Sequence, residues 1–196
     1  MNNLFYQISQ SVMLRLENEL PKYLTYHAPY HTKYVMDRAV FIAKEENIEE
    51  EDLFLLKVAA LYHDTGFTVN REDHEAISCK IANEELPTFG IHKDQIEIIC
   101  GLIRATKIPQ SPKNKLEKVL ADADLEYLGT DKFQEFGDKL YHELLHYEPK
   151  LDLQKWNEIQ YDFVKNHKYH TAYGRKYLEP KKQENLRILL DKMHQL

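Results

Sequence analysis

Cysteine, glycine and proline are all scarce in this chain, with 2, 6 and 7 residues among 196. Cys79 and Cys100 form neither a CxxC pair nor a disulfide framework, which excludes a small cystine-stapled scaffold and fits a reduced, cytoplasmic setting. The few glycines and prolines fall between periodic segments, which leaves no low-complexity stretch and no linker. No apolar run approaches the roughly 20 residues of a membrane span. The richest, Leu53 to Tyr62, is interrupted by Lys57. The opening Met-Asn-Asn-Leu-Phe lacks the basic start and apolar run of a signal peptide. Positive charge is not in excess either: 26 basic residues against 32 acidic ones give a net charge of −6. That argues against a partner such as extended nucleic acid, while a local basic patch could still hold a phosphorylated ligand. Length and composition fit one globular domain over residues 1–196, with room for a homo-oligomer.

What is present is helical periodicity. Alternating Val/Ile/Thr strands bounded by turn pairs are absent, so the expected class is all-α, a single helical bundle. The pattern predicts helices over Leu4–Leu20, His31–Asn47, Glu51–Asp64, Asp73–Leu86, Lys93–Thr106, Lys115–Leu128, Asp131–Tyr147, Leu151–His167 and Pro180–His194, with a loop over Gly66–Glu72.

Helical phase separates inward polar residues from surface charge. His31 shares a stripe with Val35, Ala39 and Ile42, spaced by three and four residues. A lone histidine on such a stripe is more often a hydrogen-bonded core residue than a ligand. On the third helix Leu53, Leu56 and Ala60 lead to His63 and Asp64, adjacent nitrogen and oxygen donors. An aspartate is almost never buried unless it is paired or bound to a metal. The sixth helix carries two aspartates. Asp124 continues the stripe of Leu116, Val119, Leu120 and Tyr127, whereas Asp122 falls in line with Lys115, Lys118 and Glu126, a solvated face. Phase therefore predicts Asp124 as the inward carboxylate and Asp122 as an outer partner at most. Three helices thus aim His31, His63 with Asp64, and Asp124 at one interior. This mixed N/O set suits a divalent metal ion such as Mn, Fe, Zn, Co or Mg, with positions left open for water.

Three segments carry a family resemblance: Tyr30-His31-Thr32-Lys33-Tyr34-Val35, Ala59 to Phe67 around His63-Asp64, and Ala121 to Gly129 around Asp124. They resemble the HD superfamily of metal-dependent phosphohydrolases over about Tyr26 to Gly129. The resemblance implies an all-helical fold, His31, His63, Asp64 and Asp124 as metal ligands, and cleavage of phosphate esters or anhydrides, often of nucleotides. The helices after 129 would complete the domain. The sequence departs from the binuclear phosphodiesterases of the superfamily. Only His74 follows the signature pair closely, and no consecutive histidine pair comes later.

The expected function is metal-dependent phosphohydrolysis of a small phosphorylated molecule, with a nucleotide favoured. The alternative is a regulatory module that binds a nucleotide without turnover, and a di-iron oxygenase is a weaker third reading. Asp64 would bind the metal and orient the attacking water, and Glu75 is the candidate general base. Its plain reading is an acidic residue favoured at a helix N-terminus. His74, Arg104 and Lys107 are candidates for contact with substrate; Lys33 and Arg38 flank the first ligand. Asp64-Thr65-Gly66 matches the aspartic-protease triplet, but a second copy and a strand-rich fold are missing. Glu143-Leu-Leu-His146 matches half of a di-iron bundle motif, again without a second copy. The Tyr-rich tail reads as packing.

Overall fold

A computed structural model describes residues 2–194, so Met1 of the opening segment and the last two residues lie outside it. Among the described residues the chain is all-α, with nine α-helices and no strand. Helix α1 spans Asn2–Glu19 and buries Ile8, Val12 and Leu16, one per turn, before Pro21 ends the run. Helix α2, Pro29–Glu45, starts on a proline, whose missing N–H costs nothing at a first position. Its buried stripe is the predicted one, His31, Val35, Ala39 and Ile42. Helix α3, Glu50–Tyr62, carries three acids in its first turn and is buried almost continuously from Leu55 onward. Helices α4 (His74–Glu85), α5 (Lys93–Ala105) and α6 (Lys115–Asp124) close around α2 and α3. Asn114 caps α6 by accepting from the Glu117 N–H at 2.9 Å. Helices α7 (Phe133–Tyr147), α8 (Leu153–Asn166) and α9 (Glu179–Met193) follow.

Two apolar clusters result. The larger gathers α1 to α6 around residues such as Leu56, Val58, Ile99, Ile103 and Leu120. The smaller joins Tyr26, Leu125, Tyr127, Leu128 and Phe136 to Val164 and Leu189 of the last two helices. His31 and Asp124 stand where the two meet. Cys79 and Cys100 are both free and buried, and each thiol reaches toward the other's carbonyl oxygen across α4 and α5, at 3.5 and 3.7 Å.

Several predicted ends move. Helix α3 stops at Tyr62 instead of Asp64: the Thr65 hydroxyl donates to the Tyr62 carbonyl at 2.8 Å, and a 3-10 turn follows over Thr65–Thr68, overlapping the start of the expected loop. Helix α6 stops at Asp124, where Leu125 leaves the helical region, and a second 3-10 turn runs Glu126–Gly129. The larger correction concerns the face assigned to solvent. Asp122 is fully buried, and so is Glu126. The segment between α8 and α9 folds back over α6, where Asp122 accepts from His170 N (2.8 Å), Thr171 N (2.9 Å) and Thr171 Oγ1 (2.6 Å). Glu126 accepts from Arg38 at 2.9 Å and from the Tyr34 hydroxyl. The phase of a single helix cannot register partners that arrive from elsewhere in the chain.

Asp122 therefore ties the C-terminal segment to α6. Asp122→Asn puts an amide against three donors and is expected to lower stability by about 2–4 kcal/mol, since hydrogen bonds to a buried charge are among the stronger ones. Urea unfolding followed by circular dichroism measures this. A loss below about 0.5 kcal/mol, the range of an ordinary surface substitution, would show that the tie is dispensable.

Candidate metal centre and its cavity

Four donors converge at the border of the two clusters. His31 is held on the buried stripe of α2, with the Tyr26 ring 4.5 Å from its own. His63 follows α3, and its Nδ1 lies 2.8 Å from the Ala60 carbonyl oxygen. A carbonyl only accepts, so Nδ1 carries the hydrogen and Nε2 faces the cluster as a lone pair when the ring is neutral. Asp64 comes next in the chain, and Asp124 is the last residue of α6. His31 Nε2 is 3.2 Å from Asp124 Oδ1 and 3.5 Å from Asp64 Oδ2. His63 Nε2 is 3.1 Å from Asp64 Oδ2 and 3.5 Å from Asp124 Oδ1.

These residues fit a metal ion. An ion about 2.1 Å from N and O donors sets neighbouring donors roughly 3.0–3.4 Å apart in octahedral or tetrahedral geometry. The observed separations fall in or next to that range. His63 Nε2 and Asp64 Oδ2 are buried and, though close, make no hydrogen bond with good geometry. Two polar atoms shielded from water without a partner are otherwise costly. The Nδ1–carbonyl bond of His63 is the outer support that a ligating imidazole normally has.

Electrostatics reinforce the cluster. Burial disfavours the charge on Asp64, but the charges of His63, His27 and His31 outweigh it and hold the carboxyl well below its usual range. Burial opposes Asp124 in the same way, and the His31 hydrogen bond with the charges of His63 and His31 still brings it down to about 2. The same carboxylates raise the His63 pKa against its own burial.

Asp64 and Asp124 line the inner end of a cavity of about 280 Å³. Its far wall is apolar, with Leu140 and Leu144 of α7 and Trp156, Ile159 and Phe163 of α8. Its polar end adds His27, Arg71, His74 and Glu75. His27 precedes α2, and its Nδ1 meets Glu143 Oε1 at 2.5 Å; the other Glu143 oxygen accepts from the Tyr26 and His27 backbone N–H groups, both at 3.0 Å. Burial disfavours the His27 cation, yet the Glu143 bond and the charges of Asp64, Glu143 and Asp124 leave its pKa raised. The Phe67 ring stacks on both His27 (4.0 Å) and His74 (4.1 Å). His74 Nε2 sits 3.6 Å from Asp64 Oδ1 and 3.5 Å from Glu75 Oε1.

His31, His63, Asp64 and Asp124 thus come together, with His74 and the buried Glu75 beside them. Arg104 and Lys107 do not reach the cavity. Lys107 pairs with Asp73 at 2.6 Å on the surface, and the Arg104 guanidinium lies 3.7 Å from the Cys79 sulfur, between α4 and α5. The cation lining the cavity is Arg71, which packs over the Tyr147 ring at 4.5 Å. Lys33 is spent on Asp37 at 2.8 Å. Sequence reasoning missed His27, Glu143 and Arg71. The signals the sequence offered were a histidine four residues before His31 and, for Glu143, half of a di-iron motif.

Residues 30–126 match the family model of the HD domain, and that stretch of the chain is an HD domain. A solved structure of a predicted HD superfamily hydrolase from an uncultured Thermotogales bacterium is similar, with a TM-score of 0.61 and 20% identity over 95% of this chain and 91% of that one. Bacillus subtilis YpgQ, solved in complex with ADP, is also similar, with a TM-score of 0.61 and 20% identity over 98% of this chain and 97% of that one. At this identity the likeness is one of fold. No curated protein matches the chain in sequence.

Two expectations follow for the metal. His63→Ala and Asp64→Ala should strip most of it from folded protein, and Asp124→Asn should weaken it by more than the roughly 10–100-fold typical of losing an outer partner. Elemental analysis of dialysed protein is the check, and full occupancy in all three variants would exclude this centre. Affinity should also rise with pH. The raised His63 pKa keeps a proton on the metal-free ring above the ordinary histidine range, so binding an ion must release it. Titration of Mn(II) across pH 6–9 would show tighter binding toward the alkaline side, and a flat profile would contradict the assignment.

Proposed function

We propose that this protein is a metal-dependent phosphohydrolase that cleaves a phosphate ester or anhydride bond of a small phosphorylated molecule, a nucleotide above others. One observation carries the reading. Two histidines and two carboxylates stand at metal-ligand separations, and the two carboxylates, Asp64 and Asp124, line the polar end of a cavity whose opposite wall is apolar. Such a cavity takes a molecule with a charged end and an apolar or aromatic end. That YpgQ was solved with ADP supports a nucleotide in a related fold.

His31, His63, Asp64 and Asp124 would hold a divalent ion, which when bound polarises phosphoryl oxygen and lowers the pKa of water. The other steps belong to the protein. Arg71, exposed at the mouth of the cavity, pairs with phosphate oxygens of the incoming substrate. Asp64 Oδ1, the oxygen on the His74 side, orients the attacking water. Glu75, buried in the first turn of α4, accepts its proton with His74 as neighbour. His27 has Nδ1 engaged by Glu143, which fixes the ring and favours its cation, so Nε2 is the group that protonates the leaving oxygen.

A screen of nucleotides, sugar phosphates and generic phosphodiesters with Mn(II), Co(II), Zn(II), Fe(II) and Mg(II) should find phosphate or nucleoside phosphate release that a chelator abolishes. His27→Gln should lower kcat by about 10²–10⁴-fold, the usual worth of a positioned acid. Arg71→Ala should chiefly raise KM. Metal-loaded, folded protein that binds nucleotides but turns none over would instead point to a regulatory binding module.

A further inference from the structure

Two thiols lie between α4 and α5, and no step described above uses them. Cys79 and Cys100 cross: the Cys79 sulfur is 3.5 Å from the Cys100 carbonyl oxygen, and the Cys100 sulfur is 3.7 Å from the Cys79 carbonyl oxygen. A side chain as short as cysteine reaches the opposite main chain, in both directions, only where two helices run nearly in contact. A disulfide needs that kind of approach, with Cα atoms about 4.4–6.8 Å apart.

Each sulfur is also met by a polar group from the partner's helix. Arg104, four residues after Cys100, points Nη1 at the Cys79 sulfur, 3.7 Å away. Asn83, four residues after Cys79, gives Nδ2 to the Cys100 sulfur at 3.3 Å and to the Cys79 carbonyl at 2.7 Å. Arg104 and Asn83 are both exposed, so the thiols lie one side chain below the surface, Cys79 with 7% and Cys100 with 3% of its area open. A structural buried cysteine is inert because apolar surroundings raise its pKa. Cys100 departs from that pattern. The neighbouring Cys79 thiol, the Arg104 charge and the Asn83 amide bring it down to about 7 against its own burial. The Cys100 sulfur beside it, together with burial, holds Cys79 up as a protonated thiol.

We infer that Cys79 and Cys100 are a redox-modification site, which a small peroxide oxidises to a disulfide bridging α4 and α5, with weaker metal binding as the result. The Cys100 thiolate attacks one oxygen of hydrogen peroxide, the O–O bond breaks, hydroxide leaves and Cys100 becomes a sulfenic acid. The Cys79 sulfur then attacks the Cys100 sulfur, the S–O bond breaks, and the Cys79 proton goes to the departing oxygen. Together the two thiols give up two electrons and two protons, and the peroxide becomes two waters. Arg104, placed by the sequence near phosphate, instead draws negative charge onto sulfur.

The path from this pair to the metal centre is short. Ser78, next to Cys79, takes the Gly66 N–H and gives its hydroxyl to the His63 carbonyl, both at 2.8 Å. Glu75 stands one turn before Cys79 on the same face of α4. Bonded sulfurs are about 2.05 Å apart, well inside nonbonded contact, so closure draws α4 toward α5 and displaces Ser78 relative to His63.

The oxidation is independent of the phosphohydrolase reading, and one experiment tests both it and its consequence. Metal-free protein is treated with hydrogen peroxide, cleared of it, alkylated and mapped by mass spectrometry. The protein should lose two hydrogens, yield a linked Cys79–Cys100 peptide and regain both thiols with dithiothreitol. Cys79→Ser should stop at a Cys100 sulfenic acid that dimedone traps. Arg104→Leu, at an exposed side chain, should slow the oxidation about tenfold at pH 7, because the thiolate fraction falls as the thiol returns toward about 8.5. Oxidised protein should bind Mn(II) about tenfold more weakly than reduced protein, the low end of what losing an outer support costs, and dithiothreitol should restore it. In Cys100→Ser, peroxide should leave Mn(II) binding unchanged. Two free thiols after peroxide, separate sulfinic acids without a link, or a rate unmoved by Arg104→Leu would overturn the site. Equal Mn(II) binding by the linked and reduced forms would overturn its coupling to the metal, and Mn(II) binding by neither form would overturn the metal centre with it.

Discussion

Two carboxylates face two imidazoles inside an apolar interior, and the rest of the structure is arranged around that contact. Neither Asp64 nor Asp124 could stay there as a lone charge. Each is held by His31 and His63 across 3.1–3.5 Å. The contact requires α2, the end of α3 and the end of α6 to meet at one point. The larger apolar cluster fixes those three helices from one side, and the smaller, centred on Tyr26, Tyr127 and Phe136, closes the other.

The last third of the chain carries no metal ligand, yet it makes one wall of the cavity. Helices α7 and α8 supply its apolar wall, and Glu143 of α7 holds His27 in place. What keeps this part registered on α6 is a set of buried polar contacts. Asp122 takes three hydrogen bonds from residues 170 and 171, and Asn185 of α9 donates to the Leu128 and Thr130 carbonyls at 3.0 Å each. Contacts of this kind demand defined geometry, which apolar packing alone does not.

The sequence made the ligands legible because each sits on, or directly after, a helix with a clear apolar stripe. His31 with Val35, Ala39 and Ile42 is the plainest case. It made Asp122 and Glu126 misleading for the same reason: neighbouring lysines on α6 gave them a solvated pattern, while their partners come from α2 and from the segment after α8. His27 was invisible to periodicity because α2 begins only at Pro29. Its partner, Glu143, lies 116 residues further on, and was readable only as half of a motif that lacked its other half. Arg104 and Lys107 were sought near a helix end that does lead to the cavity, through Thr106 and Ile108, but their own charges settle on Cys79 and Asp73.

Gly66 touches no reacting group, and yet it sets a distance on which the polar end of the cavity depends. A Cβ there would lie 2.0 Å from the His74 carbonyl oxygen, where ordinary contacts begin near 3.4 Å. Ser78 locks the same approach, taking the Gly66 N–H and giving its hydroxyl to the His63 carbonyl, both at 2.8 Å. Any side chain at 66 must pry two backbones apart and carry the start of α4, with His74 and Glu75, away from Asp64. In a mutational scan scored by activity, position 66 would be as intolerant as a metal ligand, through spacing alone.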